Sequence, residues 1–250
     1  MPADTRAESI IFPDAHAIAR DAAHRFVSLS AAAARAGRRF SAALAGGRTP
    51  EELYRLLASD LFRGAVEWRS VHLFFGDERC VPVDSPYSNF RMANEAMLKP
   101  LGLPASNIHR IEGERPDTDA AASAYEKDIS QFFGATGTPR FDLVLLGMGG
   151  DGHTASLFPG TAALSATDRW VVRNEPGLEP FVPRITLTLP VLNGAANVLF
   201  LVAGQDKAQT VARVLAGPDA PTELPSQSVR PASGTLTWML DRAAASALTA

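Results

Sequence analysis

The sequence predicts an open α/β fold in which a mostly parallel β-sheet is covered by helices on both faces. Apolar runs of strand length alternate with segments of helical periodicity along most of the 250 residues, which is typical of repeated strand–helix units. Several runs, such as FDLVLL at residues 141–146, are almost continuously apolar, as expected for strands buried on both faces. No internal repeat, low-complexity tract or long linker interrupts this alternation, so we expect residues 1–250 to form a single domain.

The N-terminal half carries the cap signals of two helices. Asp14 can cap the helix that follows it, and Gly37 comes directly after the end of that helix. In the second helix, Thr49 and Glu52 have the spacing of a capping box, and Pro50 suits the first helical position because it lacks an N–H. We expect strands at residues 9–12, 39–45, 71–75 and 107–111, and helices, with their flanking caps, within residues 14–37, 46–59, 90–98 and 119–133.

The C-terminal half continues the same alternation. Apolar runs predict further strands there, and one of them leads into a helix of clear periodicity. Two polar segments, residues 76–89 and 217–231, contain the Pro, Ser and Asp residues that are typical of loops. We expect strands at residues 141–147, 184–189, 197–204 and 235–241, and helices at residues 205–217 and 243–250.

Composition and charge exclude several classes of protein. The net charge is −3 and no run of like charges occurs, so we expect no binding to nucleic acid. No segment approaches ~18 uninterrupted apolar residues, and the first residues, MPADTRAESI, do not resemble a secretory signal. The single cysteine, Cys80, excludes an internal disulfide. We therefore expect a cytoplasmic protein without a membrane partner, and the sequence does not decide between a monomer and a weak dimer.

Loops that follow the strands of a parallel sheet are where ligands bind, and the GGRT loop favours a phosphate. Gly46 and Gly47 let the backbone approach a ligand, the helix start offers free N–H groups, and Arg48 adds a positive charge. Lys207 lies in the first turn of a predicted helix, where it opposes the helix dipole, so an anionic ligand would explain its position. Arg184 begins another predicted strand. Each feature alone also fits an ordinary turn or a solvated basic residue, but together they form a coherent phosphate site.

The GDER loop after VHLFF contains Asp77 and Arg79, which could address a polar substrate from two sides. The alternative is an exposed ion pair without a function. Cys80 follows directly and could act as a nucleophile if a neighbouring base lowered its pKa, although an isolated cysteine is more often a small buried apolar residue. We therefore treat Asp77 and Arg79 as candidates for substrate contacts, and Cys80 as a weaker candidate nucleophile.

The segment GMGGDGH, residues 147–153, supports two interpretations. Its glycines at positions 147, 149 and 152 match the G-x-G-x-x-G pattern of dinucleotide-binding loops. That pattern needs a sustained helix after the last glycine and an acidic residue ~20 positions later. Here Pro159 and Gly160 interrupt the chain, and the nearest acid, Asp168, does not end a predicted strand. The cofactor interpretation is therefore disfavoured.

His153 and Asp151 favour a catalytic interpretation of the same loop. Glycines let a histidine side chain enter a cleft while backbone N–H groups face a developing negative charge. Asp151 could orient the imidazole or hold a substrate hydroxyl. The other four histidines lie in predicted helices or strands, where packing or surface roles are expected. A D-x-H pair can also bind a metal, but no third ligand stands at a suitable spacing, so we expect no metal site.

Five motifs together resemble the glucosamine-6-phosphate isomerase/6-phosphogluconolactonase family, and its lactonases in particular. They are LAGGRTPEELY, VHLFFGDERCVPVDSPYSNF, FDLVLLGMGGDGHTASLFPG, VPRITLTLPVLN and FLVAGQDKAQTV, and they follow in order across nearly the whole chain. The resemblance implies a Rossmann-like α/β fold, similar to that of glucosamine-6-phosphate deaminase, and no metal or nucleotide cofactor. It also implies hydrolysis of 6-phospho-D-glucono-1,5-lactone to 6-phospho-D-gluconate in the oxidative pentose phosphate pathway.

The same resemblance assigns roles to the candidate residues. His153 would be the general base, because an imidazole can activate water near neutral pH, and Asp77, Arg79 and Asp151 would surround the sugar ring. Arg79 or N–H groups of the glycine loop would stabilise the oxyanion, each donor contributing about 3 kcal/mol. The phosphate would not react but would anchor the substrate. Its ligands would be Gly46, Gly47, Arg48, Arg184 and Lys207.

Three other functions fit parts of the sequence less well. In deaminases of the same fold the segment after the histidine resembles IAFNEP and contains an acid, whereas TASLFPG follows His153 here and no carboxylate occurs before Thr167. A non-catalytic sugar-phosphate sensor could lose the histidine, and sensors of this fold carry a DNA-binding segment of which this sequence shows no sign. A nicotinamide dehydrogenase needs the dinucleotide pattern that GMGGDGH only partly matches. We therefore favour the lactonase.

Overall fold

Two separate β-sheets organise the chain. The structure is a computed structural model that describes residues 7–134, 137–176 and 179–248. The strands in these ranges are Ala7–Phe12 (β1), Phe40–Leu44 (β2), Val71–Phe75 (β3), Asp77–Arg79 (β4), Leu143–Leu146 (β5), Val171–Asn174 (β6), Arg184–Leu187 (β7), Asn197–Val202 (β8) and Thr235–Asp241 (β9). Six strands form the main sheet in the order β1-β9-β8-β5-β2-β3, and three form a smaller sheet in the order β4-β7-β6.

The main sheet confirms the predicted open, parallel α/β architecture. Every neighbouring pair of its strands runs parallel. β2 and β5 are buried along their whole lengths, so both faces of the sheet centre are covered. Because the strands share one direction, the loops that follow β2, β5 and β8 meet at the same edge of the sheet.

Helices cover the main sheet and connect its strands. They are Ala15–Arg35 (α1), Arg48–Ala58 (α2), Asn89–Ala93 (α3), Lys99–Leu101 (α4), Thr118–Phe133 (α5), Leu189–Gly194 (α6) and Ala208–Ala216 (α7), and a π-helical turn at Asn94–Leu98 joins α3 to α4. The predicted N-cap is confirmed, because Oδ1 of Asp14 accepts the N–H of Ala17 at 2.8 Å. Of the helices in the described ranges, none has the length and apolar character needed to cross a membrane.

The smaller sheet is the main difference from the sequence prediction. Residues 76–89 were expected to form a loop, but the charged tripeptide Asp77–Arg79 pairs with β7 in antiparallel register. The predicted strand that starts at Arg184 exists, yet it belongs to this second sheet rather than to the parallel one. Asp77 and Glu78 are buried and hydrogen-bonded, so tertiary contacts override the polar local sequence.

The start of α2 also differs from its prediction. The helix begins at Arg48 with Gly47 as N-cap, and no side chain caps it. The capping box of Thr49 and Glu52 is therefore wrong, because position 49 is already helical. The Glu52 carboxylate instead contacts Nδ1 of His16 on α1 at 2.6 Å.

Two further segments are less regular than expected. Residues 107–111 do not form a strand, because only Ile108 pairs with Leu73 in an isolated bridge. Residues 243–247 form turns rather than a helix, and the last two residues of that predicted helix lie outside the described ranges. The carboxylate of Asp241 accepts the N–H of Ala244 at 2.6 Å, which fixes the chain in a turn at the end of β9.

Two buried tyrosines fix the strand ends that lead to the predicted site. The hydroxyl of Tyr54 accepts the N–H of Ala45 at 2.9 Å and donates to its carbonyl oxygen at 2.8 Å. The hydroxyl of Tyr125 makes the same pair of bonds to Phe75, at 2.8 and 2.9 Å. Burial raises the pKa of both phenols, so they remain neutral hydroxyl groups. Each tyrosine thereby holds the backbone just before the GGRT or the GDER loop.

Candidate active site

A cavity of about 340 Å³ opens at the carboxyl edge of the main sheet. It is bounded by the ends of β2, β5 and β8, by the start of α2 and by β4 of the smaller sheet. In the described part of the chain, no three His, Cys, Asp or Glu side chains are arranged to hold a metal ion. Asp151 and Arg184 do not line the cavity, whereas the other candidate residues do. These are Gly46, Gly47, Arg48, Asp77, Arg79, His153 and Lys207.

His153 lines the cavity and is hydrogen-bonded to Asp151. Nδ1 of His153 lies 2.6 Å from Oδ1 of Asp151, and the same oxygen accepts the backbone N–H of His153 at 3.1 Å. Because an ionised carboxylate only accepts, Nδ1 carries the proton and Nε2 keeps a free lone pair. Partial burial favours a raised pKa for Asp151, but its hydrogen bonds to His153 and their mutual attraction outweigh burial and lower the pKa. Asp151 is therefore an ionised partner that orients the imidazole.

Gly149 makes room for this pair. A Cβ atom at position 149 would lie 2.1 Å from Nδ1 of His153 and 2.6 Å from Oδ1 of Asp151. The N–H of Gly149 also donates to the carbonyl oxygen of His153 at 2.9 Å, which closes the loop. The chain does not continue into a long helix after this loop, since a short 3₁₀-helix at Ala162–Ser165 comes next. The glycine therefore serves the approach of the histidine ring, in line with the catalytic interpretation.

Gly149→Ala is expected to lower kcat for the expected lactone substrate by about 10- to 100-fold, because the new methyl group displaces the imidazole and small displacements of reacting groups are costly. Gly64→Ala is the matched control, since Gly64 does not line the cavity and a Cβ at position 64 meets no atom within 4 Å. Steady-state kinetics and thermal melting of both variants make the comparison. Equal losses of kcat in the two variants would contradict this role of Gly149.

Asp77 is nearly buried and is held by two side chains that the sequence analysis missed. Oγ of Ser156 donates to Oδ2 of Asp77 at 2.6 Å, and Nδ2 of Asn89 donates to Oδ1 at 3.2 Å and to the backbone carbonyl oxygen at 3.0 Å. Asn89 also lines the cavity, and a Cβ at Gly46 would lie 2.1 Å from its Oδ1. The one sequence signal for Asn89 is its place after Ser88, a residue type that favours helix starts.

Ala155 lines the cavity in a strained backbone conformation. Its φ is 46°, in the left-handed region that residues other than glycine rarely adopt. Such strain persists where neighbouring contacts hold it. Here Thr154 Oγ1 donates to a carbonyl of the glycine loop at 2.8 Å, and the N–H of Ser156 donates to Thr186 Oγ1 at 3.2 Å. The turn places Ser156 against Asp77 directly after the histidine loop.

The cavity also brings together several positively charged groups. Gly47 has a φ of 103°, which suits glycine, and no side chain competes for the first N–H groups of α2. These groups and Arg48 provide positive charge at one place. Lys207 lies in the 3₁₀ turn that precedes α7, and its Nζ is 3.2 Å from Oδ2 of Asp206. The arrangement suits a phosphate that binds the start of α2 and the Lys207 ammonium.

Arg184 pairs with Arg79 across the smaller sheet but does not line the cavity. Its buried guanidinium donates to the carbonyl oxygens of Val182 and Pro180 at 2.8 and 3.0 Å. Burial, together with the nearby charge of Arg79, lowers the pKa of Arg184. Arg79 itself lines the cavity, and its Nη1 donates to the carbonyl oxygen of Tyr87 at 2.6 Å. Arg184 therefore adds positive charge next to Arg79 in the β4–β7 register.

Cys80 does not line the cavity, and burial raises the pKa of its thiol to about 11. The nucleophilic thiolate is therefore scarce at neutral pH. We expect Cys80→Ser to retain most of the kcat and thiol-blocking reagents to inactivate the protein slowly. Rapid-quench kinetics provide the check. A burst of acyl-enzyme that disappears in Cys80→Ser would assign the nucleophile to this residue instead.

The fold and the site together define an α/β protein in which the start of a helix and a histidine paired with an aspartate meet at one cavity. The family model described as "Glucosamine-6-phosphate isomerases/6-phosphogluconolactonase" matches residues 13–238. The chain belongs to this family, which confirms the resemblance seen in its motifs.

Individual relatives agree with this assignment. A 6-phosphogluconolactonase of Synechocystis is 44% identical over 205 residues, which cover 81% of this chain and 82% of the relative. The solved structure of 6-phosphogluconolactonase from Trypanosoma cruzi is 32% identical, covers 98% of both chains and has a TM-score of 0.88. A solved monomeric glucosamine-6-phosphate deaminase has a TM-score of 0.80 over 96% of this chain and 99% of that chain, but at 22% identity it shows the shared fold alone.

Proposed function

We propose that this chain is a lactone hydrolase that converts 6-phospho-D-glucono-1,5-lactone to 6-phospho-D-gluconate in the oxidative pentose phosphate pathway. The observation that carries the proposal is the Asp151–His153 pair at a cavity that also contains the start of α2 and Lys207. Two relatives reported above bear the name 6-phosphogluconolactonase. We treat residues 1–250 as one cytoplasmic lactonase domain that requires no cofactor and binds no nucleic acid.

Substrate binding begins with the phosphate. Its oxygens accept hydrogen bonds from the first N–H groups of α2 and pair with Arg48 and Lys207, while Gly46 and Gly47 let the backbone come close. The phosphate does not react. Its binding energy places the carbonyl carbon of the lactone ring near Nε2 of His153, which converts remote contacts into correct orientation.

The hydrolytic step uses a water molecule as nucleophile. Nε2 of His153 takes a proton from the water molecule while the water oxygen bonds to the carbonyl carbon of the lactone. Asp151 stabilises the imidazolium that forms. The tetrahedral intermediate then collapses, and the bond between the carbonyl carbon and the ring oxygen breaks. The imidazolium returns its proton to that ring oxygen, which becomes the 5-hydroxyl group. The new carboxylic acid loses its proton to solvent.

The tetrahedral intermediate carries an oxyanion that needs a positive or N–H partner. Arg79 and the N–H groups of the glycine loop are the candidates, each contributing about 3 kcal/mol. Arg184, the cross-strand neighbour of Arg79, strengthens the positive potential at this place. Asp77, which Ser156 and Asn89 hold in place, accepts a hydrogen bond from a hydroxyl of the sugar ring.

The deaminase alternative has less support from the same cavity. Its ring-opening acid would follow the histidine, but residues 154–160 contain no carboxylate. Their side chains pack instead: Ser156, Leu157 and Phe158 are buried. A non-catalytic sensor of sugar phosphates is disfavoured because the base and its orienting carboxylate are both present.

Lactone disappearance tests the proposal directly. The 6-phosphogluconolactone must be made fresh in the cuvette, because the ester hydrolyses unaided and only a rate above background counts. Glucosamine 6-phosphate serves as the parallel substrate for the deaminase alternative. Ammonia release without lactone hydrolysis would select the deaminase, and tight phosphate-ester binding without any turnover would select the sensor.

A further inference from the structure

Glu78 stands between two cavity residues but faces away from the cavity. Successive side chains of a strand point to opposite faces, so Asp77 and Arg79 line the cavity while Glu78 lies on the other side of β4. Glu78 is buried with 3% exposure. No step of the proposed reaction uses its carboxylate.

The carboxylate of Glu78 binds the start of α3. Oε1 accepts the N–H of Arg79 at 2.7 Å and the N–H of Asn89 at 2.8 Å. Oε2 accepts hydrogen bonds from the N–H of Phe90 at 2.7 Å and from the Ser88 hydroxyl, Oγ, at 3.0 Å. Two oxygens thus satisfy four donors, and an anion at a helix start is also favoured by the helix dipole.

These hydrogen bonds connect Glu78, through Asn89, to Asp77 in the cavity. Asn89, whose N–H binds Glu78, reaches back with Nδ2 to the backbone carbonyl oxygen and the carboxylate of Asp77. Gly46 leaves the space that the Asn89 amide occupies, because any Cβ at position 46 would overlap Oδ1 of Asn89. A displacement of the α3 start would therefore move Asn89 and Asp77 together, and Arg79 through its own N–H bond.

We propose that Glu78 is a positioning residue for lactone hydrolysis, because its carboxylate ties the start of α3 to β4 and thereby sets Asp77, Arg79 and Asn89 around the cavity. The inference rests on the proposed function but not on the identity of the base. Burial raises the pKa of Glu78, and the N–H groups of Phe90, Asn89 and Arg79 oppose this effect. Burial of a carboxylate costs free energy unless hydrogen-bond donors compensate it, and four donors do so for Glu78.

Glu78→Gln is the decisive variant because it keeps the size of the side chain. One of the two carboxylate oxygens becomes an NH₂ group, which cannot accept hydrogen bonds. The side chain then loses either the bonds from Ser88 and Phe90 or the bonds from Arg79 and Asn89. We expect kcat to fall about 10- to 100-fold. The KM for the phosphorylated lactone and the Kd for inorganic phosphate should change less than about threefold, because the phosphate ligands lie on α2 and at Lys207.

Ser88→Ala is the matched control at the same helix start. It removes one of the four bonds to Glu78 and also the helix cap, since Oγ of Ser88 accepts the N–H of Arg91 at 3.0 Å. The bonds of Glu78 to Arg79 and Asn89 remain. Loss of such a cap costs about 1 kcal/mol of stability, so we expect a lower Tm with a kcat within about threefold of the wild type.

The comparison of kcat with Tm decides between positioning and mere stability. An unchanged kcat in Glu78→Gln would overturn the proposal. So would a loss of kcat that stands in the same proportion to the fall in Tm in Glu78→Gln and in Ser88→Ala. If Glu78→Gln does not fold, Asn89→Ala takes its place, because it leaves Glu78 bonded and cuts the link to Asp77. A normal kcat in Asn89→Ala would then overturn it. A wild-type protein without lactonase activity would instead refute the proposed function itself.

Discussion

Replacement of His153 by Ala is expected to lower kcat by about 10²- to 10⁴-fold while the KM changes little. The variant loses the nitrogen that takes the proton from water, whereas the phosphate ligands on α2 and at Lys207 stay in place. Steady-state kinetics with freshly made 6-phosphogluconolactone, corrected for spontaneous hydrolysis, provide the measurement. The matched control is His16→Ala, because His16 is an exposed residue of α1.

Substitution of Asp151, which binds the imidazole, tests the same mechanism with a smaller expected loss of kcat. Asp151→Asn is expected to reduce kcat less than His153→Ala, since it disturbs the orientation of the base but leaves the base present. The lowered pKa of Asp151 keeps its carboxylate charged further into the acidic range than an ordinary aspartate.

Two results would contradict the catalytic interpretation of GMGGDGH. Near-normal turnover by His153→Ala would move the general base elsewhere, first to Asp77. Calorimetric binding of NAD(P) that is weakened by substitutions at His153 and Gly149 would restore the dinucleotide interpretation of the glycine pattern.

An unphosphorylated gluconolactone is expected to be a poorer substrate by about 10²- to 10⁴-fold in kcat/KM. Charge-assisted contacts contribute about 1.5–3 kcal/mol each, and the lactone without a phosphate loses at least the contacts to Arg48 and Lys207. Because the phosphate is remote from the reacting carbon, its binding energy acts mainly through placement of the substrate. Parallel kinetics with the two lactones check this, and comparable values of kcat/KM would remove the phosphate site.

Single substitutions separate the ligands of that phosphate. Lys207→Ala is expected mainly to raise the KM, with Lys127→Ala, an exposed lysine of α5, as the matched control. Arg184→Ala distinguishes two arrangements, because its guanidinium binds the backbone of Pro180 and Val182 here. A rise in KM as large as that of Lys207→Ala would indicate direct phosphate contact. A loss confined to kcat would indicate that Arg184 acts through Arg79.

The main sheet could be predicted because buried parallel strands such as FDLVLL carry their signal locally. β4 could not, because Asp77, Glu78 and Arg79 have no apolar pattern and pair with β7 only through distant contacts. The capping box was wrong for a related reason. Gly47 has a backbone conformation that starts α2 early, and sequence spacing does not reveal it.

The candidate site divides in the same way. Loops with glycines and charged residues at strand ends were recognisable, and most of their predicted site residues do line one cavity. Ser156 and Asn89 were missed because their contacts to Asp77 arise from folding, and Ser156 is 79 positions away in the sequence. Glu78 was missed because its side chain turns from the cavity and meets its partners only when α3 packs against β4.

The pairing of β1 with β9 has a consequence for folding during synthesis. In the described part of the chain, β1 has one strand neighbour, β9, and their register pairs Ala7 with Leu236. A ribosome adds roughly 5–20 residues per second, so β1 is without β9 for on the order of ten seconds or more after it is made. The loop-closure cost of such a distant contact grows only slowly with length, and the delay is therefore kinetic rather than thermodynamic. The pairing of β1 therefore has to wait until the residues of β9 have been synthesised.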